Sequence, residues 1–180
     1  MKIAVMTLMA AMVGVAAEPG QPQQKLTVYL RDNATVPIVV RSQALELANK
    51  MFAAIGVSLD WHSGEPTGAR PIVIELATRT PVDLLPGALA YAQPFEGVHI
   101  RVFYDRIQGE IAPGLRAMLL AHVLVHEITH ILQGIARHAD SGVMKAVWTP
   151  QDHFQMRAGA LPFTPEDVML IHLGMAARPW

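Results

Sequence analysis

Cysteine is the residue type that this sequence lacks altogether, because none occurs among its 180 residues. Disulfide bonds are therefore excluded, and so is a lipid anchor attached to an N-terminal cysteine. Because cysteine usage carries no information here, the cellular compartment has to be inferred from the N-terminal segment instead.

Charge is also scarce and nearly balanced, with 14 lysines and arginines against 15 aspartates and glutamates. No basic cluster and no aromatic-rich strand pattern interrupts this balance. The sequence therefore offers no electrostatic basis for binding nucleic acid or an anionic membrane surface. We expect neither as a partner.

Residues 1–17 have the composition of a secretory signal peptide, with one early lysine, an apolar core over 3–15 and a small residue at Ala17. A membrane anchor, the alternative, needs about 20 apolar residues, and this run is shorter. Cleavage after Ala17 is therefore expected to give a secreted or periplasmic protein. In that chain 18–24 would be a linker, and 25–180 would form a single domain.

The most informative stretch lies inside the apolar run 115–135 and reads His126-Glu127-Ile128-Thr129-His130. On a helix, His126 and His130 lie on the same face, so both rings can reach one ion. Glu127 lies about 100° further round the axis, too far to be a third ligand. It is close enough to hydrogen-bond a water molecule beside the metal. This H-E-x-x-H pattern is typical of zinc sites in metallopeptidases.

A catalytic zinc site needs a third protein ligand and one open position. Gly134 is predicted to end the helix in a left-handed conformation and turn the chain back. His138 then becomes the candidate third ligand. Asp140 is its alternative, or it could orient a ligand histidine. His122, one turn before His126, is expected to support the site or line the cleft, with direct ligation as the alternative.

The combined pattern resembles that of the metzincin group of zincin metallopeptidases, H-E-x-x-H-x-x-G-x-x-H followed by a methionine turn. Gly134 and His138 each fit this pattern with one extra residue on either side of the glycine. Met144 follows Ser141 and Gly142, a position that favours the hydrophobic floor beneath the metal, with ordinary core packing as the alternative. Residues 138–148 also resemble a set of uncharacterised bacterial secreted proteins.

The resemblance implies a zinc metallopeptidase that acts on a peptide or protein substrate, with Glu127 as the general base. The substrate would lie along an edge strand of the sheet. No cysteine is available for the latch that some metzincin zymogens use. No tyrosine follows Met144, so the donor that stabilises the developing oxyanion would be His153, Arg157 or Tyr104.

Three other functions are compatible with the motif. One is a zincin-fold binding or inhibitory module with structural or absent zinc, which predicts a closed site with Asp140 or another side chain as fourth ligand. Another is a zinc hydrolase that acts on a non-peptide amide. An intramembrane metalloprotease is disfavoured, because the sequence has no third apolar stretch to surround buried charges in lipid. Stable membrane insertion is therefore not expected.

Apolar periodicity predicts an α+β fold. Together with the resemblance, it indicates a zincin-like fold, with a twisted mixed or antiparallel sheet packed on the central motif helix, followed by C-terminal helices. The helices are predicted from the N-cap Ser42 to Gly56, from Pro113 to about Gln133, over 151–158 and from Thr164 onward. The strands are predicted at 25–31, 57–62, 71–77, 88–92 and 97–104, with 36–40 as an edge strand at most.

Overall fold

The structure is a computed structural model that describes residues 24–67, 70–82, 87–92 and 98–178. The predicted signal peptide and residues 18–23 lie outside these ranges.

A mixed sheet forms one layer of the molecule, with the strand order β2-β1-β3-β5-β4. β1, β2, β3 and β5 run parallel, and β4 pairs antiparallel with β5 at the sheet edge. The strands are β1 (Gln24–Asp32), β2 (Val57–His62), β3 (Ile72–Ala77), β4 (Ala90–Ala92) and β5 (His99–Phe103). The predicted strands are confirmed, apart from the one suggested at 36–40.

The helices form the second layer, and the central one carries the histidine motif. They are α1 (Ile38–Ala53), α2 (Tyr104–Glu110), α3 (Arg116–Gln133), α4 (Pro150–Ala158) and α5 (Pro165–Ala177). A single 3-10 turn, Pro113–Leu115, leads into α3, so the predicted start at Pro113 is confirmed. Thr164, the predicted start of the last helix, caps α5 and forms a capping box with Asp167. The expected α+β architecture, with a mixed sheet and a central motif helix, is thus confirmed.

The start of α1 was predicted wrongly. The β-branched run at 36–40 favours a strand, and Ser42 was expected to cap a later helix, but α1 begins at Ile38 directly after Pro37. The Ser42 hydroxyl donates to the carbonyl of Val39 inside the helix. Burial of one face of α1 overrides the local β propensity of these residues. That buried face consists of Ala44, Ala48, Met51 and Phe52.

The end of the last strand was also predicted one residue too late. β5 stops at Phe103, and Tyr104 is the first residue of α2. The Tyr104 side chain is buried in the core. This helical turn was not predicted, because its seven residues are too few to show a clear apolar period.

α3 is the core helix, and every residue from 119 to 132 is buried. Pro113–Gln133 is long and apolar enough to cross a membrane, but 72% of its most apolar window is buried inside the protein. Packing against the sheet, α1 and α5 therefore accounts for its composition. At its C-terminal end α5 crosses so closely that a Cβ on Gly174 would collide with the carbonyl oxygen of Leu132.

Candidate metal centre

Three histidines converge at the C-terminal end of α3. His126 and His130 lie on the helix, and Gly134 ends it with φ +67°, as predicted. The turn that follows brings His138 against both rings. One nitrogen from each histidine lies within 4.8 Å of the other two, and Nε2 of His126 is 3.0 Å from Nε2 of His130.

The hydrogen bonds of Nδ1 in His126 and His130 determine which ring nitrogens face each other. Nδ1–H of His126 donates to the carbonyl of Val143 at 2.9 Å, and Nδ1–H of His130 donates to that of Ile135 at 3.3 Å. A carbonyl oxygen only accepts hydrogen bonds, so the proton of each neutral ring lies on Nδ1 and both Nε2 atoms carry lone pairs.

These two lone pairs point at each other in a buried site. Burial is the main cause that lowers the pKa of His126 and of His130 to about 4, so both rings are neutral near pH 7. Facing lone pairs repel unless a cation lies between them. Tetrahedral zinc separates its nitrogen ligands by about 3.3 Å. The donor set is therefore compatible with zinc binding.

His138 completes the group from an exposed loop. Its ring stacks on His126 at 5.3 Å between centroids and meets His130 edge-on at 4.9 Å. Burial lowers the pKa of His138 as well. Asp140 is exposed and does not belong to the group of ligand atoms found among the described residues. The two extra residues in the connection thus still allow His138 to reach the site.

Met144 lies on the turn whose backbone accepts a hydrogen bond from His126. Its side chain is fully buried, and the preceding carbonyl, that of Val143, is the one that accepts from His126. The Val143 N–H donates to the carbonyl of Pro162 at 3.0 Å. Gly142 has φ +76°, and a Cβ there would collide with the Pro162 oxygen. The turn therefore requires glycine at this position.

His122 is placed behind the site. Its Nδ1–H donates to the carbonyl of Met118 at 2.8 Å, and its Nε2 accepts from the N–H of Leu161 at 3.1 Å. With both nitrogens used, this ring is not available to a metal in this arrangement. It meets the ring of Trp148 edge-on, and Trp148 in turn meets His126 at 5.6 Å. His122 therefore supports the wall of the site.

The side chain of Glu127 projects from α3 towards the edge strand β4. Burial raises the pKa of its carboxyl group to about 8, and a hydrogen bond from the backbone N–H of Ala92 acts in the opposite direction. A carboxylate in this environment has a high affinity for a proton near neutral pH.

A cleft of about 650 Å³ opens over the histidines, between β4 and the segment that follows Met144. Val123, His126, Glu127 and His130 form its floor. The walls are mostly apolar. They include Leu89, Ala90, Ala92, Ala136, Ala146, Val147 and Trp148.

Sequence reasoning did not identify Lys145 as a cleft residue. Lys145 lines the cleft, and its ammonium group lies 2.5 Å from Asp152. Burial opposes ionisation of Asp152, but this ion pair and the hydrogen bonds from Thr149 outweigh it and lower the pKa to about 2. The available signal was the position of Lys145 directly after Met144.

Comparison with known proteins supports the fold class. No protein-family model and no curated protein matches the sequence. The crystal structure of archaemetzincin from Methanopyrus kandleri is similar, with a TM-score of 0.59 and 15% identity, over 89% of this chain and 99% of that chain. A zinc-dependent peptidase from Methanocorpusculum labreanum gives a TM-score of 0.52 and 15% identity, over 80% and 99%.

These similarities define the class to which the fold belongs, a zincin-like α+β fold shared with zinc-dependent peptidases. Within that fold, the chain places a three-histidine group compatible with zinc where its own motif predicted one. The resemblance to metzincins is thus supported at the level of the fold. The resemblance to bacterial secreted proteins stays a prediction.

Proposed function

We propose that the protein is a secreted zinc-dependent endopeptidase in which His126, His130 and His138 hold the zinc and Glu127 is the general base. The observation that carries this proposal is the pair of Nε2 atoms of His126 and His130, which lie 3.0 Å apart with facing lone pairs and with His138 beside them. Glu127 lines the same cleft as all three rings.

Zinc, when bound, supplies Lewis acidity, which polarises a substrate carbonyl and lowers the pKa of water towards ~7. The buried carboxylate of Glu127 accepts the proton of the water that attacks the carbonyl carbon. It then returns this proton to the nitrogen of the leaving amine. Val143 and Ile135 keep the two helical histidines in the tautomer that presents Nε2, because their carbonyls accept from Nδ1.

The substrate we propose is an extended peptide that lies along β4. This strand is at the end of the sheet order, and residues 87–92 line the cleft beside Glu127. An edge strand offers backbone donors and acceptors to an added strand. Because Leu89 and Trp148 in the walls and Val123 in the floor are apolar, apolar side chains next to the cleaved bond are favoured.

Peptide cleavage by the purified protein and its Glu127→Ala variant tests the proposal. A diverse pool of quenched fluorescent peptides would be incubated with each protein, with added zinc and with a chelator. We expect cleavage by the parent protein only when zinc is present, and a loss of about 10²-fold or more in the variant. Glu46→Ala is the matched control, because Glu46 is an exposed residue on α1.

If no cleavage is seen, the zinc content and the circular dichroism of each sample show whether the protein is zinc-loaded and folded. A folded, zinc-loaded parent protein that cleaves none of the peptides would contradict the general-peptidase proposal and favour the binding or inhibitory module. Cleavage that persists in Glu127→Ala would instead remove the role assigned to Glu127.

A further inference from the structure

His138 lies on an exposed loop whose conformation must be fixed if this histidine is to bind a metal. After Gly134 the chain leaves α3, and residues 134–136 and His138 are exposed. An exposed loop samples several conformations unless side chains fix it, and a metal ligand must be held in one. Arg137, next to His138, is the residue of this segment whose side chain is largely covered, at 25% exposure.

The Arg137 side chain reaches across to the N-terminus of α5. One guanidinium nitrogen donates to Asp167 at 2.8 Å, and the other donates to Glu166. Gln133, the last residue of α3, also approaches Asp167, at 3.4 Å. A guanidinium group that bridges two carboxylates is held in both position and orientation.

The carboxylate that receives Arg137 is itself fixed. Asp167 is fully buried, and its other oxygen accepts from the backbone N–H and the hydroxyl of Thr164, at 3.0 and 2.7 Å. α5 then packs on α3 in backbone contact at Gly174 and Leu132. The His138 loop, α5 and the end of α3 therefore form a closed and well-anchored unit.

Asp167 also lies within electrostatic range of the metal centre. Burial dominates the lowered pKa of His126 and His130, and the negative charge of Asp167 is one of the influences that oppose it. The negative charge of Asp167 at this distance favours the binding of a divalent cation by the three histidines.

We propose that Arg137 is a positioning residue for the metal centre, which clamps the His138 loop to Asp167 and Glu166 and thereby sets the zinc affinity. The inference rests on the proposed zinc ligation by His138, but it does not depend on peptidase activity. The role is indirect, because Arg137 acts on the metal through His138.

Zinc affinity of the full-length chain is the direct test, measured by competition with a chromophoric chelator. We expect Arg137→Met to weaken zinc binding by about 10–100-fold, the range that applies to groups that orient a metal ligand. Arg137→Lys keeps the charge but cannot bridge both carboxylates, so it is expected to recover part of this loss. If Arg137→Met does not fold, the zinc affinity of Arg137→Lys is measured in its place.

The matched control is Arg41→Met. Arg41 forms a similar partly covered ion pair, 2.8 Å from Asp32, and neither residue lines the cleft. A general loss of stability should appear in both methionine variants, whereas weaker zinc binding should appear only at Arg137. Equal loss of zinc affinity in both variants, or none in either, would overturn the clamp.

A double-mutant cycle shows whether Arg137 acts through His138. In a His138→Ala background the clamp has no ligand to position, so adding Arg137→Met should weaken zinc binding no further. Fully additive losses would overturn the inference. A parent protein that binds no zinc would reject the clamp and the proposed function together, whereas zinc binding without peptide cleavage would reject only the peptidase.

Discussion

At the scale of single residues, the structure separates three side chains that the sequence offered as equal candidates for the oxyanion donor. Tyr104 is buried in the core, and Arg157 is exposed and does not line the cleft. His153 lines the cleft together with the three clustered histidines. It follows Asp152, whose carboxylate is fixed by Thr149 and Lys145, so the backbone that carries His153 is held in place.

We therefore predict that His153→Ala lowers kcat by about 10²-fold, the usual effect of losing one donor to a developing oxyanion. Zinc affinity should not change, since the ring does not belong to the ligand group. Steady-state kinetics on the best cleaved peptide measure this effect. Arg157→Ala, on the same helix but outside the cleft, is the control. A similar kcat for His153→Ala and Arg157→Ala would exclude His153 as the donor.

At the scale of helices, the close crossing of α3 and α5 depends on one glycine. Gly174 lies where the α5 backbone meets the carbonyl of Leu132, and no side chain fits between them. We predict that Gly174→Ala lowers the free energy of unfolding by about 1–3 kcal/mol or more, because the helices must move apart. Urea denaturation followed by circular dichroism measures this loss.

Gly109 is the matched control for this crossing. It lies within α2, and a Cβ there would meet no atom within 4 Å. Gly109→Ala should therefore leave stability unchanged or raise it by about 0.5–1 kcal/mol, through helix propensity. A Gly174→Ala protein as stable as Gly109→Ala would show that the crossing tolerates a methyl group.

The N-terminus of α4 gives the molecule a specific acid sensitivity. The ion pair with Lys145 and the Thr149 hydrogen bonds hold the folded-state pKa of Asp152 at about 2, below the ordinary value of 3.8. Ionised Asp152 therefore stabilises the fold above about pH 4, and this contribution is lost as the pH falls towards 2. The stability difference between parent protein and Asp152→Asn should shrink over that range in urea titrations. A difference that stays constant would contradict this prediction.

At the scale of the whole molecule, local patterns were sufficient for the parts of the site that lie close together in sequence. His126, Glu127, His130 and Gly134 fall within one helix and its end, so spacing alone predicts their arrangement. β1 was predictable from its alternation of apolar and polar residues, and the other strands from short apolar runs between turn signals. Their order, with β4 antiparallel at the edge beside Glu127, depends on pairings between distant segments.

Contacts between distant segments were also what sequence reasoning missed. Arg137 and Asp167 are separated by 30 residues, and nothing in either local pattern indicates that they meet. The β-branched run before Ser42 misled in the other direction, because its local propensity favours a strand while the packed face of α1 favours a helix. In both cases tertiary contacts decided the outcome.

The route of the protein out of the cytoplasm is a prediction for the entire chain. The apolar core at 3–15 and the small residue Ala17 predict cleavage before Glu18. β1 begins at Gln24, so this cut would leave the described fold intact. Expression of the full sequence in a bacterial host, followed by cell fractionation and intact mass measurement, should give a periplasmic or secreted chain that starts at Glu18.

Substitution at the cleavage site distinguishes signal-peptide cleavage from non-specific release of the protein by the cells. Ala17→Phe removes the small residue that signal peptidase requires, so the chain should keep residues 1–17 and stay with the membrane fraction. Gln21→Phe, beyond the site, should be processed as in the parent protein. An unprocessed parent chain in the cytoplasmic fraction would contradict secretion. It would leave the proposed zinc chemistry unaffected, since the metal centre is built entirely from residues after 115.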